Sequence, residues 1–189
     1  MASERVIKDL NRAASSGKPV RVARDIDGAD RLDAYVVGVG RRWVLLHTVS
    51  DERHLDGHTA VRLRDVRSAT RKNWPGAMMT HRALALRGEH VRPLPDLDLD
   101  STRGLIETLT AAFPLVVIHV ERIDPGICYI GRPRGITGKK RLRLQKIGPA
   151  ADWARTCSTT RTRDITRLDA GGGYVEALHA VGGDPPDLP

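Results

Sequence analysis

The sequence is poor in aromatic residues, which make up 4% of its 189 positions and include a single phenylalanine. The apolar mass is Val, Leu, Ile and Ala, a composition that suits small β-rich units. Cysteine is scarce too. Cys128 and Cys157 are too few for a disulfide framework, and their apolar neighbours predict buried, reduced thiols. No run approaches the length of a membrane-spanning helix, because "FPLVVIHV" is broken by Pro114 and His119. The start, "MASERVIKDLNRAA", is charged and lacks the apolar centre of a secretory signal. These absences predict a cytoplasmic protein with no membrane partner.

What is present is positive charge, unevenly spread. The chain carries a net charge of +8. Eleven Lys or Arg and two acids lie between Gly131 and Arg167, which puts that segment at +9 and the remainder at −1. A basic block of this density suits a polyanion. It is equally the composition of an Arg-rich solvated face.

The stretch "RPLPDLDLDS" divides the chain. Its prolines and spaced acids predict an extended linker over residues 92–100, between a first unit over 1–91 and a second over 101–183. Its alternating aspartates lack the glycine and terminal glutamate of a calcium loop. Residues 184–189, with "DPPDLP", are expected as a disordered tail. Each unit opens with a capped helix. Ser3 precedes Val6, Ile7, Leu10, Ala13 and Ala14, and Ser101-Thr102 precedes Leu105, Ile106, Leu109 and Ala112. The helices end at Gly17–Pro19 and at Phe113-Pro114.

After each helix the same order of segments recurs. "PVRVARD", "DAYVVGVG" and "WVLLHTV" in the first unit match "PLVVIHVERID", "ICYIGRP" and "RLRLQKI" in the second. Polar loops follow, "SDERHLDGH" and "GPAADWARTC". Then come "TAVRLRDVRSA" and "STTRTRDITRLD", and finally "RALALRG" and "YVEALHAVG", expected as closing strands. Ordered recurrence with small drift is what duplication produces. Leu63 to Val66, and Ile165 to Leu168, are odd steps between core positions. They signal a bulge or a bend into a turn. Asp65 and Asp164 are therefore expected to be structural, accepting backbone N–H groups at that break.

A capping helix followed by five bent strands resembles the Sm-like small β-barrel. "GKPVRVARD" through "DAYVVGVGRRWVLL" is similar to the family's first segment, and "RLRDVRSA" and "TRDITRLD" are similar to its second. The resemblance implies a mainly β fold with short helices, built as two tandem helix-capped five-stranded barrels from an internal duplication, and RNA as the ligand class. It does not extend to the family's uridine pocket, since Gly40-Arg41-Arg42 replaces the Asp and Asn of the first loop and Arg-Asp replaces Arg-Gly. Other SH3-like barrels share the strand pattern and bind proteins, so a protein-interaction or regulatory module is the alternative.

No coherent catalytic set, cofactor signature or metal site emerges. His54, Asp56 and His58, with His47 nearby, match no zinc spacing. "GRPRGITGKK" has Pro133 where a phosphate loop needs glycine and Lys140 where it needs Ser or Thr. Trp43, Trp74 and Trp153 suit core anchors better than base-stacking platforms. The reading is therefore a non-enzymatic binding protein. Its nucleic-acid surface would be Arg132, Arg134, Lys139, Lys140, Arg141, Arg143, Arg161 and Arg163, with the first five forming one hairpin tip.

Overall fold

The computed structural model describes residues 3–70 and 74–188. In chain order its elements are α1 (Glu4–Ser16), β1 (Val20–Arg24), β2 (Leu32–Val39), β3 (Trp43–Val49), β4 (Leu55–Arg62), a 3-10 turn (Leu63–Asp65), β5 (Val66–Thr70), α2 (Ala77–Leu86), α3 (Thr102–Ala112), β6 (Val116–His119), β7 (Cys128–Ile136), β8 (Arg141–Ile147), β9 (Trp153–Arg161), β10 (Arg167–Ala170) and α4 (Gly173–Gly182). None of the described helices is long and apolar enough to cross a membrane.

The two capped helices form where the serines place them. The Ser3 hydroxyl accepts from the Val6 N–H at 3.3 Å, and the Ser101 hydroxyl accepts from the Gly104 N–H at 2.9 Å. Gly17 ends α1 in the left-handed region, φ 57, where a Cβ would be strained. Val6, Leu10 and Ala13 of α1 are buried against alternate residues of β1 to β5.

The sequence suggests two five-stranded barrels; the strands form one open, ten-stranded antiparallel sheet ordered β5-β1-β2-β3-β4-β10-β6-β7-β8-β9. Within that order each half repeats the other. The registers repeat as well: Val44 faces Val61 and Leu46 faces Thr59, as Leu142 faces Thr160 and Leu144 faces Ser158. The register shifts fall at matching places, after His47 and after Gln145, and again after Val36 and after Pro133.

β3 explains why the halves cannot separate cheaply. Its run "WVLLHTV" is apolar at consecutive positions, the pattern of a strand buried on both faces. Val44 and Leu46 enter the core beneath α1, while Trp43 and Leu45 join Leu105, Ile118 and Leu142 of the second half. The segment 92–100 turns at residues 95–96, where the Leu97 N–H donates to the Leu94 carbonyl at 3.4 Å, and it is docked rather than free. Leu94, Leu97 and Leu99 pack on the second core, and the Leu99 carbonyl accepts from Arg42 and Trp43 N–H at 3.2 and 3.0 Å. A Cβ on Gly40 would lie 2.6 Å from that carbonyl, so the docking needs glycine there.

Two sequence assignments need correction. "RALALRG" and "YVEALHAVG" lie in or overlap helices α2 and α4, not strands. Ala and Leu fill the centre of the first and recur in the second, and these are strong helix formers. The closing strands are "VRSAT" and "RLDA" instead, so the odd step at Arg-Asp is the corner between the fourth and fifth strands of each half. The loop read at "HLDGH" is also mostly strand, because β4 starts at Leu55.

Asp65 is buried at its corner. Its carboxylate pairs with the Arg122 guanidinium of the second half at 2.9 Å rather than with backbone N–H groups. Asp164 occupies the matching corner, half-buried, with Arg163 Nε at 3.6 Å. Beside Asp65 lies a second bond between halves. Arg24 at the end of β1 donates from Nη1 and Nη2 to Glu121 at 2.5 and 2.7 Å, and the Thr166 hydroxyl donates to the same carboxylate at 2.8 Å. Burial pushes the Glu121 carboxyl up, but Arg24 and Thr166 outweigh it and hold the group below its ordinary value.

Glu121→Ala leaves the Arg24 guanidinium buried without its partner. The expected loss is about 3–5 kcal/mol of unfolding free energy. Urea denaturation followed by Trp fluorescence and by circular dichroism checks this. Because core residues of both halves interlock, the two probes should report one coincident transition.

Candidate nucleic-acid interface

β7, β8 and β9 carry seven Lys or Arg and no Asp or Glu. Strand alternation sorts them. In "RLRLQKI" Leu142 and Leu144 point inward and are fully buried, so Arg141 and Arg143 point outward. Residues directly opposed share a face. Arg141 faces Arg161, Arg143 faces Thr159, and Arg132 faces Gln145. Arg132, Arg134, Arg141, Arg143 and Arg161 therefore lie on one face of the sheet. Arg155 of β9, absent from the sequence-derived set, is exposed beside them.

The hairpin tip is smaller than expected. β7 continues to Ile136, so Arg132 and Arg134 sit on the strand, and Arg141 begins β8. Only Lys139 and Lys140 remain at the turn. The turn closes through Thr137 N–H to Arg141 carbonyl at 2.8 Å and Lys140 N–H to Thr137 carbonyl at 2.9 Å. The Lys140 carbonyl then accepts from Thr162 N–H at 3.0 Å, which stitches the tip to the corner bearing Arg163. The first half makes the same stitch, Leu63 N–H to Arg42 carbonyl at 2.9 Å.

The individual charges are used differently. Arg132 donates to the carbonyls of Phe113 and Pro114 at 2.7 and 3.2 Å, closing the end of α3. Arg134 donates to Gln145 Oε1 at 2.8 Å and to the Pro186 carbonyl at 3.0 Å. Arg163 is 74% exposed. Lys139, Lys140, Arg141, Arg143, Arg155 and Arg161 form no ion pair among the described residues. Arg141 opposite Arg161 is a like-charge pair, which destabilises a sheet.

The position matching Arg161 in the first half is Arg62, and its fate is opposite. Arg62 is buried, donates to the carbonyls of Ile165 and Thr162 at 2.5 Å each, and lies over the Trp43 ring at 4.7 Å. Burial, with Arg64 adding to it, lowers its pKa to about 10. Aligning the two halves on their Arg-Asp corners finds the pair in sequence; what hides the difference is that only the first of them is covered.

Other candidate groups resolve into structural roles. Trp43 and Trp74 are buried, and the half-buried Trp153 donates its indole N–H to the Gly182 carbonyl at 3.0 Å, which anchors the end of α4. Cys157 is half-buried and Cys128 is exposed, contrary to the burial expected of both. Cys128 faces His119 across β6–β7, and His119 Nε2 lies 2.8 Å from Asp169. This row resembles a nucleophile with its base, but desolvation by the neighbouring strands, with the Asp169 charge adding to it, holds the Cys128 thiol above its ordinary pKa. Asp169 is pushed up by burial and pulled down further by His119 and Arg167, to about 2. Among the described residues no group of three or more His, Cys, Asp or Glu side chains is placed to hold a metal ion.

His47 and His58 stack at 4.4 Å between ring centroids, and both are buried. His47 Nδ1 accepts from the Arg92 N–H at 3.1 Å, and His58 Nε2 donates to the Arg92 carbonyl at 2.9 Å. Together they clasp the backbone N–H and carbonyl of one residue, Arg92, at the start of the segment 92–100. Burial lowers both pKa values, His47 to about 4, with the His58 charge adding to the effect. No family model matches this chain, and no curated protein or solved structure matches it significantly.

The clasp makes stability pH-dependent. The unfolded chain protonates His47 near its ordinary 6.5, whereas the folded chain does so near 4. Stability is therefore full above about pH 6.5 and falls as the pH drops toward 4, by roughly 3 kcal/mol for this group. His47→Asn keeps an acceptor at the Nδ1 position and should flatten the pH dependence of the urea midpoint in that window.

Proposed function

We propose that this chain is a non-enzymatic nucleic-acid-binding protein, with single-stranded RNA as the preferred ligand class, and that it is a tandem of two Sm-like five-stranded units derived by duplication. The observation that carries the binding reading is the outer face of β7–β9, where arginines stand opposed and no carboxylate relieves them. A strand pair of like charge is costly in isolation. A phosphate backbone lying across it removes that cost and releases counterions. The tip lysines, Lys139 and Lys140, project beyond the sheet and can approach phosphate without disturbing Leu142 or Leu144. The repeated strand order, registers and corner stitches support the tandem reading.

The second reading, a protein-interaction module, has its own observation. β5 and β9 are the two outer strands of the sheet, and each leaves one edge without a partner strand among the described residues. The edge of β9 is flanked by arginines, which favours an anionic occupant over an apolar one.

A salt titration with labelled single-stranded RNA separates the readings. Wild type should show a linear fall of log K with log salt. Replacing Lys139, Lys140 and Arg141 together by Gln should flatten the slope by about two units, at roughly 0.7 per lost phosphate contact. Absence of binding at low salt, or an unchanged slope in the variant, would transfer support to the protein-interaction reading.

A further inference from the structure

We propose that residues 184–188 act as an acidic strap over the arginine-lined end of the basic face, and that a polyanion must displace them to bind there. This rests on the nucleic-acid reading of that face and adds its regulation.

Four observations place the strap. The Pro186 carbonyl accepts from Arg134 Nη2 at 3.0 Å and from Gln145 Nε2 at 3.1 Å, and the Pro185 carbonyl lies 3.5 Å from the same guanidinium. The segment therefore lies on the outer face of β7 and β8. It also helps wall a cleft of about 520 Å³ lined by Arg132 and Arg134, in which Asp184 is the one carboxylate. The Asp184 side chain is 90% exposed and is held by His179 Nε2 at 3.2 Å. Asp187 adds a second negative charge to a segment that borders a face without acids.

The attachment is firm at its base and weak beyond it. Trp153 fixes Gly182, where a Cβ would lie 2.9 Å from the Ala151 carbonyl. Gly183 then turns with φ 62, a conformation that favours glycine and frees the chain to leave the helix axis. Past Gly183 no backbone–backbone hydrogen bond holds the segment among the described residues; its hydrogen bonds to the sheet come from two side chains, Arg134 and Gln145. Pro185 and Pro186 keep it extended without N–H donors of their own, so it cannot become an added strand. A phosphate oxygen offers Arg134 a charge-assisted bond in place of the neutral Pro186 carbonyl, a stronger partner for the same guanidinium. Its approach also meets the repulsion of Asp184 and Asp187 until the strap moves.

The test measures labelled single-stranded RNA binding by the full chain, by a chain ending at Gly183, and by the full-length D184N/D187N variant, which guards against misfolding of the shortened form. The shortened chain should bind about three- to tenfold tighter at low salt, and the double variant should gain part of that, with its gain vanishing as salt screens the charges. If all three bind alike, or the shortened chain binds more weakly, the strap is overturned while the nucleic-acid reading stands. If none binds at low salt, both fall.

Discussion

The antiparallel pairing of β4 with β10 is the constraint on which the rest of the molecule depends. Four residue pairs, Val61 with Arg167 through His58 with Ala170, turn what would be two edges into the interior of one sheet. A strand that gains a neighbour loses solvent on that side, and its polar side chains must then find partners in the protein. Arg62 finds the carbonyls of Thr162 and Ile165, His58 finds the Arg92 carbonyl, and Thr59 donates to Asp169 at 2.8 Å. The matching strand β9 has no such neighbour among the described residues. Arg161, Thr159 and Cys157 occupy the places of Arg62, Ala60 and His58 and remain partly or fully exposed. One repeat thus yields a sealed seam in one half and an open, basic edge in the other.

The same seam decides how much of the molecule could be read from residues alone. Strands β3 and β8 were legible because their apolar patterns are uninterrupted: "WVLLHTV" and "RLRLQKI" begin and end where the strands do. The two capped helices were legible through Ser3 and Ser101. The odd step at Arg-Asp signalled a break, and the break is the strand corner. Two helices escaped because "RALALRG" and "YVEALHAVG" are short, and so short an apolar stretch fits either period. Their alanines, and the absence of β-branched residues from the first, were the available signal. The partners of Asp65 and Arg24 were not legible, since Arg122 and Glu121 lie 57 and 97 residues away and meet them only through the packing of the halves. For the candidate interface, the tip lysines were placed correctly by the turn signal. Arg132 and Arg134 were not, because Gly135 suggests a turn while the strand continues through it to Ile136.

The distribution of acids completes the argument. Near the first half and the seam, guanidinium groups meet carboxylates: Arg21 with Asp33, Arg24 with Glu121, Arg122 with Asp65, and Arg167 with Asp169. A pair that is buried must be made, since an isolated buried charge costs several kcal/mol. On β7–β9 the charges are exposed or half-buried, Arg132 and Arg134 meet neutral carbonyl groups instead of carboxylates, and no ion pair forms there among the described residues. Solubility alone would be served as well by mixed signs, which avoid the repulsion between Arg141 and Arg161. Single-sign charge on an outer face instead sets up a potential that attracts polyanions over a distance of about a Debye length. The seam stabilises the fold with internal pairs, and on β7–β9 at the opposite edge no strand residue is an acid that would neutralise that potential.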